Sequence, residues 1–193
     1  MHRFFLNMSR GFAYLGGLML VALILLTCVS VLGRKLNDTL HGMVSDGILV
    51  GPARWLLDAG IGAINGDFEL IEAGIAFSIF AFLPLCQISG GHAAVDIFTA
   101  KLPPSADRVL RAITETVFAA ILVLIAARLA AGMDSKMQSG QTTLLLQFPL
   151  WWAYALSLTG AAAAAIVSVY MALVWVLEAA QGRVILAPEE PHP

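Results

Sequence analysis

The sequence predicts an all-α integral membrane protein with four transmembrane helices and short interfacial amphipathic helices. Hydrophobic residues make up 59% of the 193 residues and charged residues only 12%, which is too little polar surface to cover a water-soluble globule. Four apolar stretches are long enough to cross a bilayer as helices, since a span needs about 20 apolar residues. We expect one membrane domain over residues 1–193.

The first span is predicted over residues 11–32, between Arg10 and the pair Arg34 and Lys35. This apolar stretch exceeds the ~7–15 residues of a secretory signal core, and no clear small-residue cleavage site follows it. We therefore expect a retained first helix. Arg34 is an expected anchor at the membrane interface.

The second span is predicted over residues 73–89, after Glu69 and Glu72. Pro84 lies inside it and should kink the helix, because proline removes a backbone donor.

The third span is predicted over residues 107–132. Arg111 and Arg128 lie about 26 Å apart along such a helix, close to the hydrocarbon thickness, so both are expected interfacial anchors at opposite ends. The spacing also allows Arg111 to pair with Asp107 and with Glu115.

The fourth span is predicted over residues 149–177, with Trp151 and Trp152 at one end and Trp175 at the other as an aromatic belt. Two connecting segments are candidate interfacial helices. Residues 52–65 begin with a proline suited to a first helical turn and carry Trp55 as an anchor, and residues 92–102 are amphipathic.

Small residues on the fourth span predict close helix packing. Gly160, Ala164 and Ser168 form a row at four-residue spacing, and Ala13 with Gly17 does the same more weakly on the first span. Such rows let two helix backbones approach each other. Packing inside the chain and contact with a partner subunit both remain open.

The composition and the spans argue against several function classes. The chain has 11 Lys and Arg against 13 Asp and Glu, a net charge of −2, so no basic excess indicates nucleic acid. The histidines lie outside the spans or at an end, which disfavours a haem protein. Without a converging nucleophile, base and orienting group, we expect no enzyme. Gln87 and Ser78 are better read as interhelical hydrogen-bond partners than as substrate ligands.

The stretch from Ser89 to Phe98 places His92 and Asp96 four residues apart, beside two glycines. A metal site usually needs three or four ligands, and a proton relay needs further titratable groups in the span. The alternative is a structural corner, in which Gly90 and the next glycine end the second helix. We prefer the corner.

These features together resemble the small membrane subunit of tripartite ATP-independent periplasmic (TRAP) transporters. The resemblance covers most of the chain and rests on the order and spacing of its motifs. Glu69 precedes the second span, "GGHAAVDIF" follows it, and "FPLWWAYALSLTG" opens the fourth span. The matching positions are His92, Val95, Asp96, Pro149, Trp152, Tyr154 and Gly160.

The resemblance implies a fixed scaffold that braces a large elevator-type membrane subunit. It implies sodium-coupled uptake of an organic acid delivered by a periplasmic binding protein, which docks transiently. No cofactor is implied in this chain; the complex would use a sodium gradient. The other expected partners are membrane lipids, and nucleic acid is not one.

The resemblance also implies a bacterial inner-membrane protein with cytoplasmic N- and C-termini. On that topology, residues 33–72 and 133–148 face the periplasm and are candidates for touching the binding protein. The first segment carries four aspartates, Asp38, Asp46, Asp58 and Asp67. The alternatives are a structural subunit of another membrane complex and a membrane redox protein.

Overall fold

The computed structural model describes residues 2–90 and 103–181, and five helices carry this part of the chain. They are α1 (His2–Ser45), α2 (Val50–Asp58), α3 (Asp67–Ile88), α4 (Pro104–Ser139) and α5 (Trp151–Gln181). Four of them are long and apolar enough to cross a membrane: α1, α3, α4 and α5. The predicted all-α membrane fold is therefore confirmed.

Helix α1 runs well beyond its predicted span. Its 44 residues extend for about 66 Å at ~1.5 Å per residue, roughly twice the ~30 Å of a hydrocarbon core. The sequence after Leu32 is polar but contains no proline, and Leu40 is buried. The helix therefore continues through Arg34 and Lys35, where the sequence predicted only a polar connection.

Helix α2 and the turns after it fold back against this extension. The side-chain amide of Asn37 donates to the carbonyl of Ile61 at 2.7 Å, and the Gly33 backbone lies against the carbonyl group of Gly62. We call residues 33–66 the stalk. In the part of the stalk that follows α1, only residues 50–58 are helical, whereas the sequence predicted a helix over 52–65. Gly60, in the turns after α2, has a φ of +84°.

Helix α3 is continuous through the buried Pro84 and ends at Ile88. Gly90 follows with a φ of +62°, and its amide donates to the carbonyl of Gln87 at 3.4 Å. The left-handed conformation favours glycine and ends the helix there. The predicted helix over 92–102 lies outside the described residues.

The four long helices lie side by side in the order α1, α3, α5, α4. Helix α1 packs on α3, α3 on α5, and α5 on α4, while α1 and α4 make no substantial contact. Two apolar clusters hold the row together. One joins Ile88 to Val167 and Met171, and the other joins Leu122 to Ala164 and Ala165. Each of the two middle helices exposes one face, at Ile75, Ile79 and Phe82 of α3 and at Ile166, Val169 and Leu173 of α5.

Candidate functional site

The small-residue row of α5 lies where α5 meets α3. Gly160, Ala164 and Ser168 are all buried. A Cβ added at Gly160 would lie 2.9 Å from the Cβ of Phe80 and 3.1 Å from the backbone amide of Ala81. Helix α5 thus approaches α3 at nearly backbone distance, and the row is used for packing within the chain.

The weaker row on α1 has a different arrangement. A Cβ at Gly17 would meet nothing within 4 Å, whereas one at Gly16 would lie 3.0 Å from the Cβ of Ala81. The close contact of α1 with α3 therefore uses the neighbouring glycine.

The carboxylate of Glu69 fastens the loop between α4 and α5. Its two oxygens accept hydrogen bonds from the backbone amides of Leu145 at 2.7 Å and Leu146 at 2.9 Å. The Leu146 side chain also lies against Gly66. Because Glu69 is in the first turn of α3, it joins the 141–150 loop to that helix. Pro149 closes the same loop through a bridge to Thr142.

Glu69 and Glu72 border a cleft of about 260 Å³ between α3, α4 and α5. Most of its wall is apolar. Tyr154 lines it as well, and the same ring packs against Gly132 of α4. The exposed Glu72 side chain makes no hydrogen bond or ion pair in the described part of the chain, so it is available to a molecule outside the chain.

A polar cluster that sequence reasoning missed joins α1 to the start of α3. Asp67, 6% exposed, accepts a hydrogen bond from the Ser30 hydroxyl at 2.5 Å and another from the Phe68 amide at 2.8 Å. Arg34 pairs with the same carboxylate at 3.6 Å. Asp67 was expected among the docking carboxylates, but burial removes it from that surface.

A second polar contact joins α3 to α4. The buried Gln87 side chain donates to the Glu115 carboxylate, as expected for an interhelical partner. Arg111 pairs with Asp107 at 2.9 Å, as predicted. The guanidinium of Arg111 also lies 5.5 Å from the ring centre of Trp175, which is favourable for a cation over an aromatic face.

The remaining predicted anchors lie on α2, inside α4 and at the start of α5. Trp55 on α2 is 70% exposed, and Arg128 on α4 is exposed. Trp151 and Trp152 form an edge-to-face pair at the start of α5, with ring centres 6.1 Å apart. Their depth in a bilayer stays a prediction.

Glu178, near the end of α5, is only 2% exposed. The sequence did not single it out, because the predicted span stopped one residue earlier.

Among residues 2–90 and 103–181, no three His, Cys, Asp or Glu side chains converge as a metal site would require. His92 and Asp96 lie outside those ranges, so their arrangement stays a prediction.

Many aliphatic side chains are exposed on the long helices of the described chain. Both outer helices expose long rows of aliphatic side chains, and α3 and α5 expose shorter ones. Examples are Leu18, Ile24, Ile79, Leu124 and Leu173, each more than half exposed. Such surface requires lipid or a membrane partner.

Comparison with known proteins gives one family. The family model for the tripartite ATP-independent periplasmic transporters, DctQ component, matches residues 52–178. Neither the curated proteins nor the solved structures gave a match. The matched range covers more than half of the chain and includes most of α2, all of α3 and α4, and most of α5. The chain therefore belongs to the DctQ component family, the small permease component of TRAP transporters.

Proposed function

We propose that the chain is a fixed scaffold that braces the large, elevator-type subunit of a TRAP transporter. The complex would take up an organic acid, delivered by a periplasmic binding protein, with a sodium gradient as the driving force. The observation that carries this proposal is the extensive exposed aliphatic surface of the four long helices. One part of this surface can cover a large partner while the rest contacts lipid.

The polar side chains between the helices support a passive role. Ser30 bonds to Asp67, and Gln87 bonds to Glu115. A transport path needs ligands that face a cavity and release their substrate. These groups instead bond to each other and join neighbouring helices. The scaffold would need no cofactor and no catalytic residue of its own.

The proposed orientation places both termini in the cytoplasm of the inner membrane. The stalk then projects into the periplasm, where the binding protein docks. Asp38, Asp46 and Asp58 are exposed on it and offer a negative surface. The second segment expected in the periplasm, 133–148, is not a single loop. Its residues up to Ser139 form the end of α4.

Reconstitution tests the scaffold. The chain should co-purify with a TRAP large subunit. Liposomes with both subunits and the binding protein should accumulate substrate when an inward sodium gradient is imposed. Liposomes with this chain and no large subunit should accumulate none. Sodium-driven uptake by this chain alone would refute the scaffold. Co-purification with a different membrane complex would favour the alternative of a structural subunit elsewhere.

Charge reversal tests the docking surface. Asp38→Lys, Asp46→Lys and Asp58→Lys together should slow association of the binding protein by about tenfold at low salt, because exposed interface charges act mainly on the association rate. The unaltered chain, measured under the same conditions, is the reference. An association rate equal to that of the unaltered chain would remove the stalk as the docking surface.

A further inference from the structure

Three consecutive leucines are exposed at the tip of the 141–150 loop. Leu144, Leu145 and Leu146 are 88%, 62% and 40% exposed; we call them the leucine tip. We propose that the leucine tip is inserted into the interfacial region of the bilayer leaflet at that end of the molecule. The occupant of this apolar surface is then lipid, which the membrane-spanning helices beside it already contact.

The level of the tip within the molecule supports this contact. Glu69, in the first turn of α3, binds the backbone amides of Leu145 and Leu146. The loop also ends at the edge-to-face pair Trp151 and Trp152. Tryptophan is enriched where membrane spans meet the headgroups. The tip therefore lies beside the ends of two spanning helices.

Several backbone amides of the loop are hydrogen-bonded within the protein, which suits a water-poor environment. An unpaired amide is costly near hydrocarbon, which restricts irregular loops there. In this loop the Thr143 amide donates to the carbonyl of Phe148 at 3.0 Å, and the Leu150 amide donates to that of Gln141 at 2.9 Å. Glu69 accepts from two further amides. Side chains of the tip can thus enter the interface without stranding these donors.

Insertion gives the two exposed features at this end of the molecule different partners. The leucine tip contacts lipid and is not offered to a soluble binding protein, so docking rests on the stalk. Glu69 acts as a clasp that sets the position of the tip. This inference does not depend on the scaffold role.

Fluorescence quenching measures the position of the tip. In the full chain with Cys28→Ala and Cys86→Ala, a nitrobenzoxadiazole label is placed at Leu145→Cys in phosphatidylcholine liposomes. Lipids with a nitroxide near the headgroup should quench it about twofold more than lipids with a deep nitroxide, since interfacial groups sit ~5–10 Å into the boundary. A label at Leu124→Cys, within α4, should show the reverse order, and one at Asp46→Cys should resist both.

The outcomes separate lipid from other occupants. A Leu145→Cys label that behaves like the Asp46→Cys label would overturn insertion. A Leu145→Cys label that leaves the aqueous phase only after the large subunit is added would also overturn insertion. That result would assign the tip to the large subunit.

A second pair of variants tests the clasp. Glu69→Ala should abolish the preference of the Leu145→Cys label for the shallow quencher, because the loop loses two hydrogen bonds to α3. Glu72→Ala, three residues further along the same helix, should preserve the preference. Identical quenching in both variants would show that Glu69 does not position the tip.

Discussion

At the scale of single residues, the most consequential group is the buried carboxylate of Asp67. It holds the Ser30 hydroxyl and the Arg34 guanidinium of α1 against the first turn of α3. We expect Asp67→Ala to destabilise the protein by about 1–3 kcal/mol, because it leaves the buried Ser30 hydroxyl without its acceptor. Thermal unfolding in detergent measures this. The exposed Asp58→Ala is the control, and equal unfolding temperatures would contradict the role assigned to Asp67.

Gly160 is the second residue whose size matters. An alanine there brings a methyl group within 3.1 Å of α3 backbone atoms, which cannot move as a side-chain end can. Overpacking of this kind costs about 1–3 kcal/mol, so Gly160→Ala should lower the unfolding temperature. Gly17→Ala, whose new methyl group meets nothing within 4 Å, should not. A matching loss in both variants would instead indicate a general effect of glycine replacement.

At the scale of elements, the stalk depends on a glycine contact between α1 and the turns after α2. A Cβ at Gly33 would overlap the Gly62 carbonyl and lie 2.9 Å from its carbon. We expect Gly33→Ala to loosen the stalk and speed hydrogen exchange at Ile64, whose amide donates to Ser30. Gly42→Ala, further along α1 with open space around it, should leave that exchange unchanged. Unchanged exchange in Gly33→Ala would mean that the stalk tolerates the wider separation.

The sequence predicted the four long helices because each contains an apolar run of membrane-spanning length, a local property. It did not predict that α1 continues as a helix to Ser45, because the contacts along the extension come from Asn37 and distant turn residues. Local polarity gave no sign of them.

The polar contacts were harder to predict than the helices. Ser30 and Asp67 are 37 residues apart, and Glu69 lies 76 residues from Leu145. Motif spacing identified Glu69 as a family position but gave no partner for it. Arg111 and Asp107 were predictable because both lie on one helix, while Glu115 bonds across to Gln87.

At the scale of the whole molecule, the proposed scaffold makes a prediction about transport. Replacing Gln87 and Glu115 together with leucine removes the polar contact between α3 and α4 without stranding either partner, a change that is often tolerated. In the reconstituted complex, we expect the sodium concentration for half-maximal uptake to stay the same, even if the yield of complex changes. Wild-type complex measured alongside is the reference. A shifted sodium dependence would mean that this chain takes part in coupling.

The order of helices in the row also bears on how the protein is made. The ribosome releases α4 before α5, yet α4 packs mainly on α5 and not on α1. During translation, α4 is therefore synthesised before its main neighbour exists. Its Glu115 can already meet Gln87 of the finished α3, which would hold the newly inserted helix near the row until α5 arrives between them.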